Sequence, residues 1–332
     1  MTQACGKSLL IGPEALDPSH HDMEVVGVFN PGVARFRDRI VVLARVAQRW
    51  RPAGDNVSLP RYERGTGYVA DRVPAASVRG GDPRVVQVGH AGFARLTSIS
   101  HLRVLHAPLG GGVDRLGVAI HPEGAFEEYG IEDPRITQLE DRYYITYVAV
   151  SRHGAATALM STNDFEHFER HGLLFPPENK DVVLFPKKIG GEYIALHRPV
   201  GRTPFTSPEM WVGRSPTMRH WGMHQPLHRG HLAWETGRVG AGAPPIATSE
   251  GWLELYHGNT AATDPIAVGA YCAGGMLLAL EDPTRILALT PHPILIPDQE
   301  FETHGFVPNV IFPTGVIDTP GMLFVYYGAA DH

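Results

Sequence analysis

A hairpin pattern that recurs five times constrains the fold of this chain more than any other feature of its sequence. In each copy an apolar segment containing Pro or Gly is followed by a short polar turn, and then by a run of β-branched and aromatic residues. Such runs are typical of β-strands, and short polar turns join antiparallel pairs of strands. The five copies are Asn30–Val46, Asp133–Val150, Val183–Pro199, Ala243–Asn259 and Asn309–Asp331.

Five related hairpins predict an all-β protein, and specifically a five-bladed β-propeller. A hairpin cannot bury both of its faces alone, whereas repeats arranged around a centre cover one another. The gap between the first and second copies is the longest, and we expect it to hold the rest of blade one plus an insertion around Arg51–Gly92. A different all-β sandwich or barrel is the alternative fold.

The composition indicates one globular unit and excludes several classes of function. Pro and Gly are dispersed without a low-complexity tract, so we expect a single domain over residues 1–332, irregular over residues 1–23. The net charge of −6, without a basic run, argues against nucleic acid as a partner. No apolar run approaches the roughly 18 residues of a membrane span, and the N-terminus does not resemble a signal peptide.

Cysteine and histidine usage adds two further expectations. Cys5 and Cys272 cannot build a disulfide framework, which predicts a cytoplasmic location. The 18 histidines show no metal-type spacing, and the common nucleotide-binding and hydrolase motifs are missing. We therefore expect neither a metal nor an organic cofactor.

Polar residues cluster at the ends of the otherwise apolar hairpins. In a propeller the innermost strands converge on one funnel, and buried charges are costly unless they are paired or functional. A site is therefore predicted where these hairpin ends meet. The residues that begin the copies or precede them are Asn30, Glu132, Asp133, Arg135, Asn179, Lys180, Asp181 and Arg238, and the second strands end in Arg45, Arg198, His257 and Asp331.

The mixture of charges at these ends leaves more than one chemistry open. Two carboxylates, Asp133 and Asp331, would suit glycoside hydrolysis by an acid and a base. Carboxylates that face several cations suggest an anionic co-substrate instead, most simply phosphate. The alternative is that these cations have no functional role, and that Lys180 and Arg198 only pair with Asp181 and Glu192 in a surface network.

Several ordered sequence blocks resemble glycoside hydrolase family 130. The family fold is a five-bladed propeller, and its members are mainly inverting β-mannoside phosphorylases, with a smaller group of β-1,2-mannosidases. The resemblance therefore implies the same fold as the hairpin count. The blocks are Phe29–Gly32 with Arg45, Glu132–Arg135, Asn179–Tyr193, His197–Pro199, Gly237–Ile246, Gly251–Gly258 and Tyr326–Asp331.

The resemblance also implies a role for each site residue. Asp133 would be the general acid on the glycosidic oxygen, acting through a hydroxyl of the mannosyl ring. Arg238 stands where the family usually has Lys, next to the mannosyl unit, and the two are not interchangeable at a tight site. The residues that would hold the mannosyl unit are Asn30, Arg45 and Asp331, and those that would bind phosphate are Lys180, Arg198 and His257.

Because the three phosphate-binding positions remain basic, the sequence favours inverting phosphorolysis of a β-mannoside to α-mannose 1-phosphate, with phosphate as co-substrate. The alternatives are an inverting β-1,2-mannosidase and a non-catalytic glycan-binding propeller. Hydrolysis would need a carboxylate base, for which Glu209, Glu235 and Glu254 are available. The sequence leaves open the linkage, the acceptor sugar and whether the chain forms a homo-oligomer. Aromatic residues that could stack on the acceptor, although most are expected in the core, are Trp211, Trp221, Trp234, Tyr256 and Tyr271.

Overall fold

The computed structural model describes residues 6–52, 54–80, 84–89, 93–201, 205, 207–261 and 268–331. Almost all of the regular structure in these residues is β-strand. One short α-helix, α1 (Glu300–Thr303), lies before the last hairpin, and 3-10 turns occur at Pro13–Ala15, Ala75–Ser77 and Ala125–Glu127. The all-β class predicted from the sequence is confirmed.

The strands follow one another along the whole described chain. Those of the first half are β1 (Met23–Phe36), β2 (Arg39–Trp50), β3 (Asn56–Glu63), β4 (Gly67–Pro74), β5 (Val78–Arg79), β6 (Val85–Val88), β7 (Phe93–Leu96), β8 (Ile99–Ala107), β9 (Arg115–Ile120), β10 (Ile131–Leu139), β11 (Arg142–Ser151), β12 (Gly154–Thr162) and β13 (Glu169–Phe175). Those of the second half are β14 (Asn179–Leu184), β15 (Tyr193–Pro199), β16 (Met210–Ser215), β17 (Gly222–His228), β18 (Arg238–Ala241), β19 (Ile246–Ala247), β20 (Trp252–Asn259), β21 (Tyr271–Leu278), β22 (Ile286–Leu289), β23 (Ile311–Thr319) and β24 (Met322–Ala329).

Four of the five predicted hairpins are antiparallel strand pairs that begin one sheet, whereas the fourth, Ala243–Asn259, holds β19 and β20 and is preceded by β18, the first strand of its sheet. Sheet one has the order β1-β2-β8-β9, sheet two β10-β11-β12-β13, and sheet three β14-β15-β16-β17. Sheet four has the order β18-β20-β21-β22, with β19 also paired to β20, and sheet five is the β23-β24 hairpin. The predicted hairpins therefore correspond to antiparallel strand pairs in five different sheets.

The five sheets contact one another in chain order, and the fifth contacts the first. Strand β1 meets β10, β10 meets β14, and β14 meets β18, while β20 and β21 meet β23, which packs against β1. Buried apolar side chains fill the spaces between neighbouring sheets; between sheets one and two, for example, Leu43, Leu102, Ile131 and Ile145 form one cluster. The first strand of each sheet is thereby brought toward its counterparts.

The insertion after β2 forms a hairpin, β3-β4, and a small sheet, β5-β6-β7. Its last strand ends at Leu96, slightly beyond the range expected from the sequence. The backbone N–H of Tyr62 donates to the carbonyl of Glu128 at 2.7 Å, so the insertion is tied to the start of sheet two.

The N-terminal segment packs on the last hairpin. Leu10 and Ile11 lie in the apolar cluster that also holds Phe324 of β24. Lys7 Nζ donates to Asp298 at 2.8 Å and to Glu302 at 3.0 Å. Cys272 is buried in β21, whereas Cys5 lies outside the described residues. None of the described helices has the length and apolarity to cross a membrane.

Candidate active site

The first strands of sheets one, two and three share a local irregularity that positions the polar residues. The pairing register shifts between Phe29 and Gly32, between Glu132 and Arg135, and between Lys180 and Val183. Within these three interruptions φ is positive at Asn30 (49°), Asp133 (50°) and Asp181 (55°). Asn and Asp tolerate this left-handed conformation better than other non-glycine residues, and bulges of this kind re-aim side chains.

The acidic cluster, which we define as Asn30, Arg45, Glu132 and Asp133, is built from sheets one and two. Asn30 Nδ2 and Arg45 Nη1 both donate to Asp133 Oδ1, at 2.8 Å and 2.9 Å. Arg45 Nη2 donates to Glu132 Oε1 at 2.8 Å. All but Arg45 are buried, and its guanidinium lies over the ring of Phe29. The sequence-predicted acid and two predicted mannosyl ligands are therefore brought together.

The charges around Asp133 keep its carboxyl ionised. Burial would raise the pKa of Asp133, but the nearby positive charges of Arg45, Arg135 and Lys180 outweigh it and hold the pKa below its ordinary value. The substrate-free protein therefore carries a carboxylate, not a carboxylic acid, at this position near neutral pH.

Asp331 follows β24 and acts electrostatically on the acidic cluster. Burial raises the pKa of Asp331 to about 6; Asp133 and Glu132 add to this rise, whereas Arg45 and Arg84 oppose it. Its charge therefore changes near neutral pH. The contribution of Arg84 shows that the insertion reaches this neighbourhood, which the sequence analysis did not anticipate.

The cationic cluster, which we define as Arg135, Asp181, Arg198 and His257, is built from sheets two, three and four. Arg198 Nη1 lies 2.7 Å from Asp181 Oδ2 and 3.1 Å from His257 Nε2. Arg135 Nη2 lies 3.7 Å from Asp181 Oδ1. All four side chains are buried. The proposed surface network is therefore wrong, because Arg198 pairs with Asp181 inside the protein and Glu192 instead approaches Arg214.

Two contacts connect the clusters. Lys180 Nζ lies 3.8 Å from Glu132 Oε2 and is part-exposed. Arg135 Nη1 donates to the backbone carbonyl of Asp133 at 2.6 Å, while its Nε donates to the carbonyl of Gly242 at 2.8 Å. Arg135 was given no role in the sequence analysis, although it belongs to the Glu132–Arg135 block.

His257 is neutral at pH 7. Burial lowers the pKa of His257 to about 4, with a smaller opposing effect of Asp181. His257 Nε2 lies 3.1 Å from Arg198 Nη1 and 3.3 Å from Asp181 Oδ2, an oxygen that accepts no hydrogen bond from the described residues. Because arginine can only donate, the contact with Arg198 makes Nε2 the acceptor and places the ring proton on Nδ1. Burial would raise the pKa of Asp181, but the Arg198 guanidinium holds it well below its ordinary range. The buried cluster therefore carries two guanidinium charges against one carboxylate.

Several buried nitrogen atoms in this region have no hydrogen-bond partner among the described residues. Buried donors are nearly always paired, so an anion with several acceptor oxygens would suit them. Arg238 belongs to the same neighbourhood, because its charge and that of Arg198 both act on Tyr271. The atoms are Arg135 Nη2, Arg198 Nε, Arg238 Nε and His257 Nδ1.

The three carboxylates considered for hydrolysis have other partners. Burial raises the pKa of Glu254 well above its ordinary value, and its Oε1 accepts from the backbone N–H of Gly242 at 3.0 Å. Glu235 accepts from Tyr256, and Glu209 accepts from Arg229 at 3.0 Å. Among the aromatic candidates, Trp234, Tyr256 and Tyr271 are buried in the core, whereas Trp211 and Trp221 are part-exposed.

Two groups of side chains in the described residues could approach a metal ion. One is His20, His21 and Asp22, and the other is His228, His231 and Glu235. The carboxylate oxygens of Glu235 already accept from Tyr256 and from the backbone N–H groups of His231 and Leu232. These hydrogen bonds account for the buried carboxylate without a metal.

Comparison with known proteins extends over the strands that carry both clusters. The model of glycoside hydrolase family 130, described as β-1,4-mannooligosaccharide phosphorylase, matches residues 113–332. A β-1,2-mannobiose phosphorylase of Listeria innocua is 38% identical over an alignment that covers 97% of this chain and 91% of that protein. A 1,2-β-oligomannan phosphorylase of a Thermoanaerobacter species is 34% identical, over 68% of this chain and 78% of that protein.

A solved structure of one of these relatives also resembles this chain over most of its length. The β-1,2-mannobiose phosphorylase of Listeria innocua, in complex with β-1,2-mannobiose, matches with a TM-score of 0.88 and 38% identity. The match covers 97% of this chain and 92% of that chain. The similarity therefore includes the backbone arrangement of all five sheets.

Proposed function

The chain belongs to glycoside hydrolase family 130, and we propose that it is an inverting β-mannoside phosphorylase. It would convert a β-mannoside and inorganic phosphate into α-mannose 1-phosphate and a sugar shortened by one mannosyl unit. The observation that carries this proposal is the pairing of two adjacent clusters. One is centred on a carboxylate, and the other presents buried cationic donors that suit an anion.

The acidic cluster suits the mannosyl unit and the departing sugar. Asn30, Arg45 and Asp331 offer hydrogen-bonding groups for the hydroxyls of the mannosyl ring, with Arg238 nearby. Asp133 would protonate the glycosidic oxygen through a ring hydroxyl, which supports departure of the leaving sugar.

The cationic cluster suits the attacking phosphate. Arg198 and His257, with Lys180 between the two clusters, would bind hydrogen phosphate and aim one oxygen at the anomeric carbon. Attack from the side opposite the departing oxygen inverts the β-linkage to an α-phosphate. A water nucleophile would instead need a carboxylate base, and the guanidinium groups here favour an anion.

Proton transfer requires that substrate changes the surroundings of Asp133. In the substrate-free protein Asn30 and Arg45 both donate to its Oδ1 and stabilise the charged form. We infer that the mannosyl unit takes over these donors and so raises the pKa of Asp133 toward the working range. As the C–O bond breaks, the mannosyl hydroxyl passes its proton to the leaving oxygen and takes the proton of Asp133 in its place. The product becomes the sugar phosphate dianion, and the proton lost by hydrogen phosphate restores Asp133.

The substrate we propose is β-1,2-mannobiose or a short β-1,2-mannan. Support comes from the two relatives described above, both of which carry β-1,2-linked substrates in their names and match most of this chain. The fold we propose is a five-bladed propeller, supported by the sheet contacts that run from one to five and back to one. A cytoplasmic location and a homo-oligomer stay predictions.

The test is phosphate dependence. Purified protein is incubated with β-1,2-mannobiose with and without inorganic phosphate, and α-mannose 1-phosphate is followed by phosphorus NMR. We expect mannose and α-mannose 1-phosphate in equal amounts, and only with phosphate present; β-1,4-mannobiose serves as the linkage control. Release of mannose in phosphate-free buffer would indicate a hydrolase, and binding without turnover would indicate a glycan-binding protein.

A further inference from the structure

Asp181 is a buried carboxylate in the middle of the cationic cluster, and the reaction proposed above gives it no direct part. Its carboxylate is held in ion pairs with Arg198 and Arg135, so it is not free to attack the sugar. Its negative charge would also repel phosphate. Its presence beside the donors therefore calls for an explanation in terms of their geometry.

The local backbone conformation of β14 places the Asp181 carboxylate next to Arg198. Asp181 has φ of 55° at the register shift of β14 against β15, the same local conformation that Asn30 and Asp133 have in their own strands. Its neighbour Lys180 pairs directly with Arg198 in that register. Gly240 leaves room for the carboxylate, because a Cβ at this position would overlap Asp181 Oδ2.

Side-chain contacts connect Asp181 to the groups that we propose bind phosphate. Asp181 Oδ2 lies 2.7 Å from Arg198 Nη1 and 3.3 Å from His257 Nε2, and Arg198 Nη1 donates to the same His257 nitrogen at 3.1 Å. Two nitrogen atoms of these side chains, Arg198 Nε and His257 Nδ1, have no hydrogen-bond partner among the described residues. The second Asp181 oxygen lies 3.7 Å from Arg135.

We propose that Asp181 is a positioning residue of the phosphate site, which fixes the Arg198 guanidinium, and with it the adjoining His257 ring, so that their remaining donors can bind the anion. This inference rests on the proposed phosphorolysis. Without Asp181, two guanidinium groups would face each other without their shared counter-ion. Arg198 would then lose its fixed orientation, so the donors would have to be ordered when phosphate binds, at a cost in affinity.

Asp181→Asn is the informative variant, because Asn tolerates the left-handed backbone and keeps an acceptor oxygen while losing the charge. We expect KM for phosphate to rise about tenfold, equivalent to about 1.4 kcal/mol. In the reverse reaction KM for α-mannose 1-phosphate should rise similarly, while KM for β-1,2-mannobiose and for acceptor mannose changes less than about twofold. Asp282→Asn, which alters another carboxylate near an arginine, is the matched control and should change neither constant.

A second pair of variants asks whether the effect passes through Arg198. In Arg198→Gln the charge partner is gone, so adding Asp181→Asn should raise KM for phosphate by less than about twofold more. A full additional tenfold rise would mean that Asp181 acts independently and would overturn the proposal. Thermal unfolding of each variant is measured alongside.

The possible failures are distinguishable. If the wild-type protein turns over without phosphate, the proposed function fails and this inference fails with it. If the wild-type protein needs phosphate but Asp181→Asn leaves KM for phosphate unchanged or lowers it, only the positioning role is overturned. An equal rise in KM for phosphate and for mannobiose would assign Asp181 a general structural role instead.

Discussion

The acidic and cationic clusters share one backbone conformation but differ in where the arginine partner of the carboxylate comes from. Asp133 and Asp181 each have a left-handed backbone at a break in strand register, and each pairs with an arginine on a second strand of a hairpin. Arg45 comes from another sheet, so ligand binding can separate it from Asp133. Arg198 pairs with Asp181 within one hairpin, which makes that pair a fixed support. We therefore propose that the origin of the arginine partner, and not the backbone conformation, distinguishes the reactive carboxylate Asp133 from the positioning carboxylate Asp181.

The largest expected effect comes from removing the reactive carboxylate. Asp133→Asn should lower kcat by about a thousandfold or more, because the leaving sugar loses its proton donor. Asn suits the backbone at this position, so the unfolding temperature should stay close to that of the wild-type protein. Initial rates of α-mannose 1-phosphate formation give the result, and a variant with wild-type kcat would remove Asp133 from the mechanism.

Lys180 tests whether the two clusters act separately. Lys180→Met keeps most of the side-chain stem but removes the ammonium group, so we expect KM for phosphate to rise about thirtyfold, within the range for a lost charged hydrogen bond. KM for mannobiose should rise much less. Kinetics with each substrate varied in turn provide the measurement, and equal changes in both constants would place Lys180 with the mannosyl unit instead.

Gly328 tests how closely sheet five supports the acidic cluster. A Cβ at Gly328 would overlap Asn30 Oδ1, so Gly328→Ala should displace Asn30 and lower kcat/KM for mannobiose about tenfold. Gly222→Ala is the matched control, since Gly222 lies in β17 and a Cβ there would meet no atom within 4 Å of the described structure. Similar activity in both variants would show that Asn30 adjusts freely.

The smallest expected effect is on the pH profile, through Asp331. As pH falls below about 6, protonation removes the charged acceptor for the sugar hydroxyls, so KM for mannobiose should rise. Asp331→Asn should flatten this limb of the profile. The stability of the fold should change in the opposite direction to substrate binding. Because the pKa of Asp331 is raised in the folded protein, Asp331 contributes to the free energy of unfolding below the ordinary pKa of an aspartate, and this contribution is lost as pH rises through about 6. Thermal unfolding from pH 4 to 7 in both proteins checks the sign.

The sequence predicts the fold better than the electrostatics of the site. Alternation, turns and repetition identify all five hairpins, since these signals are local. Asn30 and Asp133 each precede a proline, which marks a strand interruption, whereas Asp181 precedes valine and gives no such signal. The ionised state of Asp133 depends on residues from three sheets, and the influence of Arg84 depends on the path of the insertion. Neither can be obtained from spacing along the chain.

The contact between the first and last hairpins also bears on how the protein is made. Strand β1 packs against β23 and β24, and the charge of Asp331, just after β24, acts on Arg45 of β2. The first hairpin is synthesised early and the last hairpin late. The face of sheet one that packs against sheet five therefore stays exposed while the intervening sheets are synthesised. Catalytic competence should consequently arise only after release of the last hairpin, and chains stalled before β23 should be inactive and prone to association.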